Sequence, residues 1–167
     1  MSKKRALKTG EQAPSLNLPG ADGTPYPLEQ SLERGPVLLA FFKVGCPTCQ
    51  YAFPFLDRLH RQFQDHGAQV WGVSQDDSSA SRQFAAQYGL SFPMLIDAKP
   101  YPVSDRYGVG FTPTLFLVGR NGKVELTGEG FSKQDLLDAQ KLLAGALSVT
   151  APALFLPGER VPEFKPG

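Results

Sequence analysis

The chain reads as an α/β domain, a mixed central β-sheet flanked by helices, and three observations carry that reading. Residues 37–44 are almost entirely apolar, which is the pattern of a strand buried on both faces. Strand-like segments alternate with segments of helical period, and such an order requires parallel pairing through right-handed crossovers. Near the end of the alternation Asn121-Gly122 separates two apolar runs, a hairpin signal that adds antiparallel strands at one side.

Taken in order, residues 1–12 lack periodicity and are expected to form a disordered tail, leaving 13–148 as the folded domain. Ser15-Leu16-Asn17-Leu18 alternates and is followed by the turn formers Pro19-Gly20-Ala21-Asp22-Gly23, so a short N-terminal β-hairpin is predicted. Ser31-Leu32-Glu33-Arg34-Gly35 reads as one helical turn closed by glycine. After the central strand, Phe53, Leu56, Leu59, His60 and Phe63 recur at helical spacing from Pro47 toward His66-Gly67, with Pro54 inside as a predicted kink. A strand is predicted over 68–74. Asp76-Asp77-Ser78-Ser79 then offers cap chemistry for a helix stopped by Gly89.

Met94-Leu95-Ile96 reads as a short strand, and the prolines within 99–107 allow only a short helix. The hairpin around Asn121-Gly122 follows. Ser132 caps a last helix that runs to Leu147, with Leu136, Leu137, Leu142 and Leu143 turned inward. Residues 149–167 carry four prolines together with Leu154, Phe155, Leu156 and Phe164. They form a proline-rich C-terminal tail, too short for a domain.

Composition excludes several classes of function. In 167 residues, 41% are hydrophobic and 20% charged, as in an ordinary soluble domain, and the net charge of +1 provides no field to attract nucleic acid or an anionic membrane. The basic start, Lys3-Lys4-Arg5, is not followed by a hydrophobic stretch, so a cytoplasmic location is expected. In a reducing compartment, paired cysteines are catalytic or metal-binding more often than structural.

The two cysteines, Cys46 and Cys49, are the only ones in the chain and stand three apart, where the central strand gives way to a helix. A thiol attacks a disulfide as the thiolate, and the unpaired amides and positive dipole end at a helix start stabilise a sulfur anion. Gly45 permits the sharp exit from the strand, and Pro47 suits the first helical position because its missing donor would be unsatisfied there. Cys49, one turn on and the less exposed of the two, is placed to attack a mixed disulfide formed at Cys46. These features point to thiol–disulfide exchange.

A strand, a Cys-x-x-Cys pair, a helix interrupted by Pro54, and Thr112-Pro113 before a later strand together resemble the thioredoxin superfamily. Within it the chain is similar to the thioredoxin-like, alkyl hydroperoxide reductase/thiol-specific antioxidant (redoxin) branch, over about residues 13–147. The resemblance implies a thioredoxin-like fold with an inserted α–β unit after the strand Val70-Trp71-Gly72-Val73-Ser74. It implies a cis Pro113, with Thr112 offering backbone hydrogen bonds to substrate, and a substrate surface made of Pro47, Thr48, Thr112 and Pro113. Substrates would be disulfide-containing proteins or low-molecular-weight thiols, with a thioredoxin- or glutathione-type electron donor and a monomeric enzyme. No metal or organic cofactor is expected, because the dithiol itself carries two electrons.

Departures from the family pattern are specific. The buried Asp of thioredoxins, six residues ahead of the first cysteine, is replaced by Ala40. The Trp before that cysteine is Gly45, and the Glu of exported relatives is Ala52. No proton acceptor for Cys49 is therefore evident, and Lys43 reads as a solvated side chain. A peroxide-reducing alternative, with Cys46 oxidised and Cys49 resolving, stands beside the exchange reading. It lacks the Thr and Pro of peroxiredoxins, whose places hold Lys43 and Leu39. A zinc site from Cys46, Cys49, His60 and His66 fits a finger spacing, but His60 lies about 16 Å beyond Cys49 along a helix. Both histidines read as partly exposed, and Asp76-Asp77 as a helix cap. A non-catalytic binding module using the groove at Phe111-Thr112-Pro113 is the remaining alternative.

Overall fold

In a computed structural model, which describes residues 5–167, the apolar run becomes strand β3 (Val37–Phe42), with all six residues buried. β3 pairs in parallel with β4 (Gln69–Ser74) and antiparallel with β6 (Thr114–Val118). β5 (Met94–Ile96) extends the sheet parallel to β4, and β7 (Val124–Glu129) extends it antiparallel to β6. The order is β5-β4-β3-β6-β7, so the site that follows β3 lies at the middle of the sheet.

Alternation along β3 divides the core between two faces, as the two-residue period of a strand requires. Leu38, Ala40 and Phe42 face a cluster shared with α2 (Pro47–Phe63), α3 (Ser78–Tyr88) and α5 (Lys133–Leu147). Val37, Leu39 and Phe41 face a second cluster with Leu28 and Leu32 of α1 (Leu28–Leu32), Val103 of α4 (Pro102–Arg106), and Tyr107. The N-terminal hairpin is present as β1 (Asn17–Pro19) paired with β2 (Pro25–Pro27).

Local chemistry accounts for most boundaries. Asp77 accepts the Ala80 amide at 2.8 Å to start α3, and Gly89 closes it in the left-handed conformation. Ser132 caps α5 through the Asp135 amide at 3.1 Å. The α4 amides of Val103 and Ser104 are met by the buried carboxylate of Asp97, at the end of β5.

Three expectations are corrected. α1 begins at Leu28, ahead of the predicted turn at 31–35, because Leu28 and Leu32 fall on one face and bury together. On α5, Leu136 and Leu143 are buried but Leu142 is 39% exposed; it lies on the side of the helix away from their seven-residue stripe. The expected disordered tail spans residues 1–12, of which 1–4 lie outside the described residues. Residues 5–12 run along β7: Gly10 donates to Val124 O, Val124 donates to Glu11 O, and the Thr127 hydroxyl donates to Leu7 O. β7 ends the sheet, and its free amides and carbonyls supply the partners.

The proline-rich tail also lies against the domain. Leu154 is 1% exposed, and Phe155 packs on Phe55 with ring centroids 5.2 Å apart. Arg58 binds Glu159 through two hydrogen bonds of 2.7 Å, which hold that carboxyl down at about 2. Finally, β9 (Phe164–Lys165) pairs antiparallel with β8 (Phe131–Ser132). Among the described residues no helix is long and apolar enough to cross a membrane.

Candidate active site

After Phe42 the chain leaves the sheet in a turn closed by the Cys46 amide on Lys43 O at 3.2 Å, with Lys43 exposed. The Val44 peptide inside this turn is gripped from two directions. Its N–H donates to Asp76 Oδ2 at 2.8 Å, and its carbonyl accepts from Gln50 Nε2 at 2.9 Å. Asp76 was expected to share capping duty with Asp77. Only one residue can occupy the cap, and Asp76 instead reaches back 32 positions to the dithiol loop.

Cys46 is the N-cap of α2, and its Sγ accepts the Cys49 amide at 3.2 Å, with Pro47 at the first helical turn. The same sulfur, acting as donor, lies 3.5 Å from Thr112 O. The Thr112–Pro113 bond is cis. Both thiols are free; Cys46 is partly exposed and Cys49 fully buried. Thr48 donates its hydroxyl to Pro166 O at 2.6 Å, so Cys46, Thr48, Thr112, Pro113 and the end of the tail meet at one place.

Burial pushes the Cys49 thiol well up, and its contact with Cys46 pushes in the same direction. The side of β3 that faces it is apolar: Ala40 is completely buried, and Phe42 and Phe53 belong to the same cluster. Cys49 is thus the group shielded from solvent and Cys46 the group presented to it.

The histidines are not drawn to the cysteines. His60, expected to be partly exposed, is 5% exposed, and its Nδ1 accepts the Val70 amide at 3.1 Å. Burial lowers its affinity for a proton, as an acceptor beneath the sheet requires. His66 is exposed in a short 3₁₀ turn, residues Gln64–His66. Among the described residues no three His, Cys, Asp or Glu side chains are grouped to hold a metal ion.

Sequence reasoning also missed Asp57, which is 6% exposed and accepts from the Ser91 amide and hydroxyl and from Arg61. Burial opposes its charge, but these hydrogen bonds outweigh burial and hold the carboxyl below the ordinary range. Its i,i+4 spacing to Arg61 was the one local sign of it. A groove of about 1030 Å³ between β7 and α5 shares no lining residue with the dithiol, whereas a cavity of about 200 Å³ lies next to the dithiol, lined by Lys43, Gln75, Tyr101, Phe111 and Thr112.

Comparison with known proteins agrees with this geometry. A family model described as AhpC/TSA family matches residues 9–127. The thiol-disulfide oxidoreductase ResA of Geobacillus thermodenitrificans is 32% identical over 138 residues, covering 81% of this chain and 78% of that protein. A putative thiol:disulfide interchange protein DsbE from Chlorobium tepidum superposes with a TM-score of 0.74 at 32% identity, over 85% of this chain and 99% of the other. The peroxidoxin BcpB of Mycobacterium tuberculosis superposes with a TM-score of 0.71 at 26% identity, over 87% of this chain and 99% of that one.

Proposed function

This chain belongs to the AhpC/TSA family and is a thiol–disulfide oxidoreductase of thioredoxin fold, and we propose that Cys46 and Cys49 are its redox couple. The observation that carries the assignment is the pairing of a partly exposed Cys46 at the start of α2 with a buried Cys49 whose amide points at the Cys46 sulfur. In the reductive direction the Cys46 thiolate attacks a substrate disulfide. One Cys46–substrate sulfur bond forms, the substrate S–S bond breaks, and the departing sulfur takes a proton. Cys49 then loses its proton and attacks Cys46 Sγ, the mixed disulfide breaks, and the second substrate thiol leaves. Two electrons have passed to the substrate and the couple is a disulfide.

Disulfide-bearing proteins are the substrate class, with Thr112, Pro113, Pro47 and Thr48 lining their seat. A monomeric enzyme and a thioredoxin- or glutathione-type donor complete the reading, with low-molecular-weight thiols as further substrates. The buried position of Cys49 supports its role as the resolving thiol: it is kept from outside disulfides and is reached only through Cys46.

The test is covalent trapping. Cys49→Ser should accumulate a mixed disulfide between Cys46 and a disulfide-bearing peptide, seen by mass spectrometry, whereas Cys46→Ser should form none and lose turnover. A Cys46→Ser variant that still reduces the peptide would refute the assignment. Peroxide reduction is the second reading, favoured by the likeness to BcpB. Stopped-flow oxidation by hydrogen peroxide separates the two, since a peroxidase reacts far faster with peroxide than with the disulfide peptide.

A further inference from the structure

Residues 163–167 of the proline-rich tail lie on the reactive surface rather than beside it. Its anchor is residues 152–159, where Leu154 is buried, Pro152 O accepts from Gln140 at 2.8 Å, and Arg58 holds both Leu154 O and Glu159. Beyond that anchor, Phe164 and Lys165 form a two-residue strand along β8, and residues 166–167 run on from it. Lys133 N donates to Glu163 O at 3.0 Å, β9 pairs with β8, and Lys165 Nζ sits 4.9 Å above the Tyr51 ring. Pro166 O then takes the Thr48 hydroxyl, between the two cysteines.

Two glycines record how close the approach is. A Cβ added at Gly130 would come 2.6 Å from Lys165 O, and one added at Gly167 would come 2.5 Å from Thr112 O and 2.8 Å from the Phe111 ring. Thr112 O is the same carbonyl that faces Cys46 Sγ. Backbone thus lies on backbone from β8 to the residue before the cis proline. This is the geometry of an added strand, in which main-chain hydrogen bonds hold an extended peptide against a sheet edge.

We propose that the Phe131–Ser132 edge and the Thr48 hydroxyl form a binding site for extended polypeptide, filled in the resting molecule by residues 163–167, and that a disulfide-bearing client binds by displacing them. This rests on the oxidoreductase reading above, because it names the way a client reaches Cys46. The release is local. The Arg58–Glu159 pair and Leu154 lie on the domain side of the segment, so residues 163–167 lift away while the anchor stays seated and keeps them close enough to return.

A competing internal occupant lowers apparent affinity by the fraction of time the site is free; if the segment is seated about nine-tenths of the time, the loss is about tenfold. The experiment compares the full chain with a chain ending at residue 162 in reduction of a disulfide-bearing peptide. The shortened chain should show a KM about tenfold lower at unchanged kcat, and a synthetic Glu-Phe-Lys-Pro-Gly peptide should inhibit it competitively. Lys165→Glu in the full chain, which removes the contact over Tyr51 while leaving chain length unchanged, should lower KM in the same sense and stands in if the shortened chain misfolds. An unchanged or raised KM in these variants would overturn the proposal. If neither chain reduces the peptide, the oxidoreductase reading fails, and fluorescence anisotropy of the labelled pentapeptide on the shortened chain still decides this one: saturable binding at millimolar concentration supports it, and none refutes it.

Discussion

Asp76→Ala is the substitution that most directly probes how the dithiol loop is held. In the native chain the Asp76 carboxylate takes the Val44 amide at 2.8 Å, while Gln50 takes the Val44 carbonyl at 2.9 Å. A hydrogen bond to a charged group is worth about 1.5–3 kcal/mol net. Val44 and Asp76 are each only half-buried, so water replaces part of the loss, and the lower end, about 1.5 kcal/mol, applies. For a chain of this size, about 2–4 °C accompanies each kcal/mol, giving a drop in Tm of about 3–6 °C by scanning calorimetry. Asp76→Asn retains an oxygen acceptor without the charge and should lose less than half as much. Because the freed peptide lies two residues before Cys46, alkylation of Cys46 by iodoacetamide should also change in Asp76→Ala. A Tm within about 1 °C of the parent, or equal losses in the Ala and Asn variants, would refute the argument.

Two further outcomes follow from buried groups. His60 protonates near 6.5 when unfolded but is held lower in the fold by burial, so its contribution to stability is complete above pH 6.5 and is lost as pH falls from there toward the folded value. His60→Asn, which retains an acceptor for the Val70 amide, should flatten that part of a Tm-versus-pH curve; an unchanged slope would show that another group is responsible. The Asp57 contribution lies in a separate window, complete above the unfolded value of 3.8 and lost below it. At Gly35 an added Cβ would stand 2.7 Å from Gly67 O and 2.8 Å from Gly67 C, both backbone atoms that cannot step aside. Gly35→Ala should therefore cost about 1–3 kcal/mol by urea denaturation, and a neutral result would mean that the α1–β3 connection yields freely.

The elements that carry their own partners were legible in the chain. The fully apolar 37–42 run has the pattern of a strand buried on both faces, and Asp77 and Ser132 cap helices whose amides lie three residues away. Other features depend on residues far away in sequence. His60 shares the spacing of an apolar helix face, yet its burial is justified by an amide on β4, ten residues on. Leu142 looks like its neighbour Leu143 in composition and differs only in angle around α5. Asp57 gave little local sign of its meeting with Ser91, 34 positions away.

The same division runs through the site. Sequence alone determined the dithiol, its place between a central strand and a helix, and the succession of strands and helices along the chain, because each depends on contacts within one or two turns of chain. Only the tertiary structure decided that Thr112 O meets Cys46, that Asp76 leaves the cap to grip Val44, and that residues 163–167 lie across the groove. These contacts span 66, 32 and 118 positions, and closing such loops depends on where the whole sheet places its ends, which no local pattern encodes.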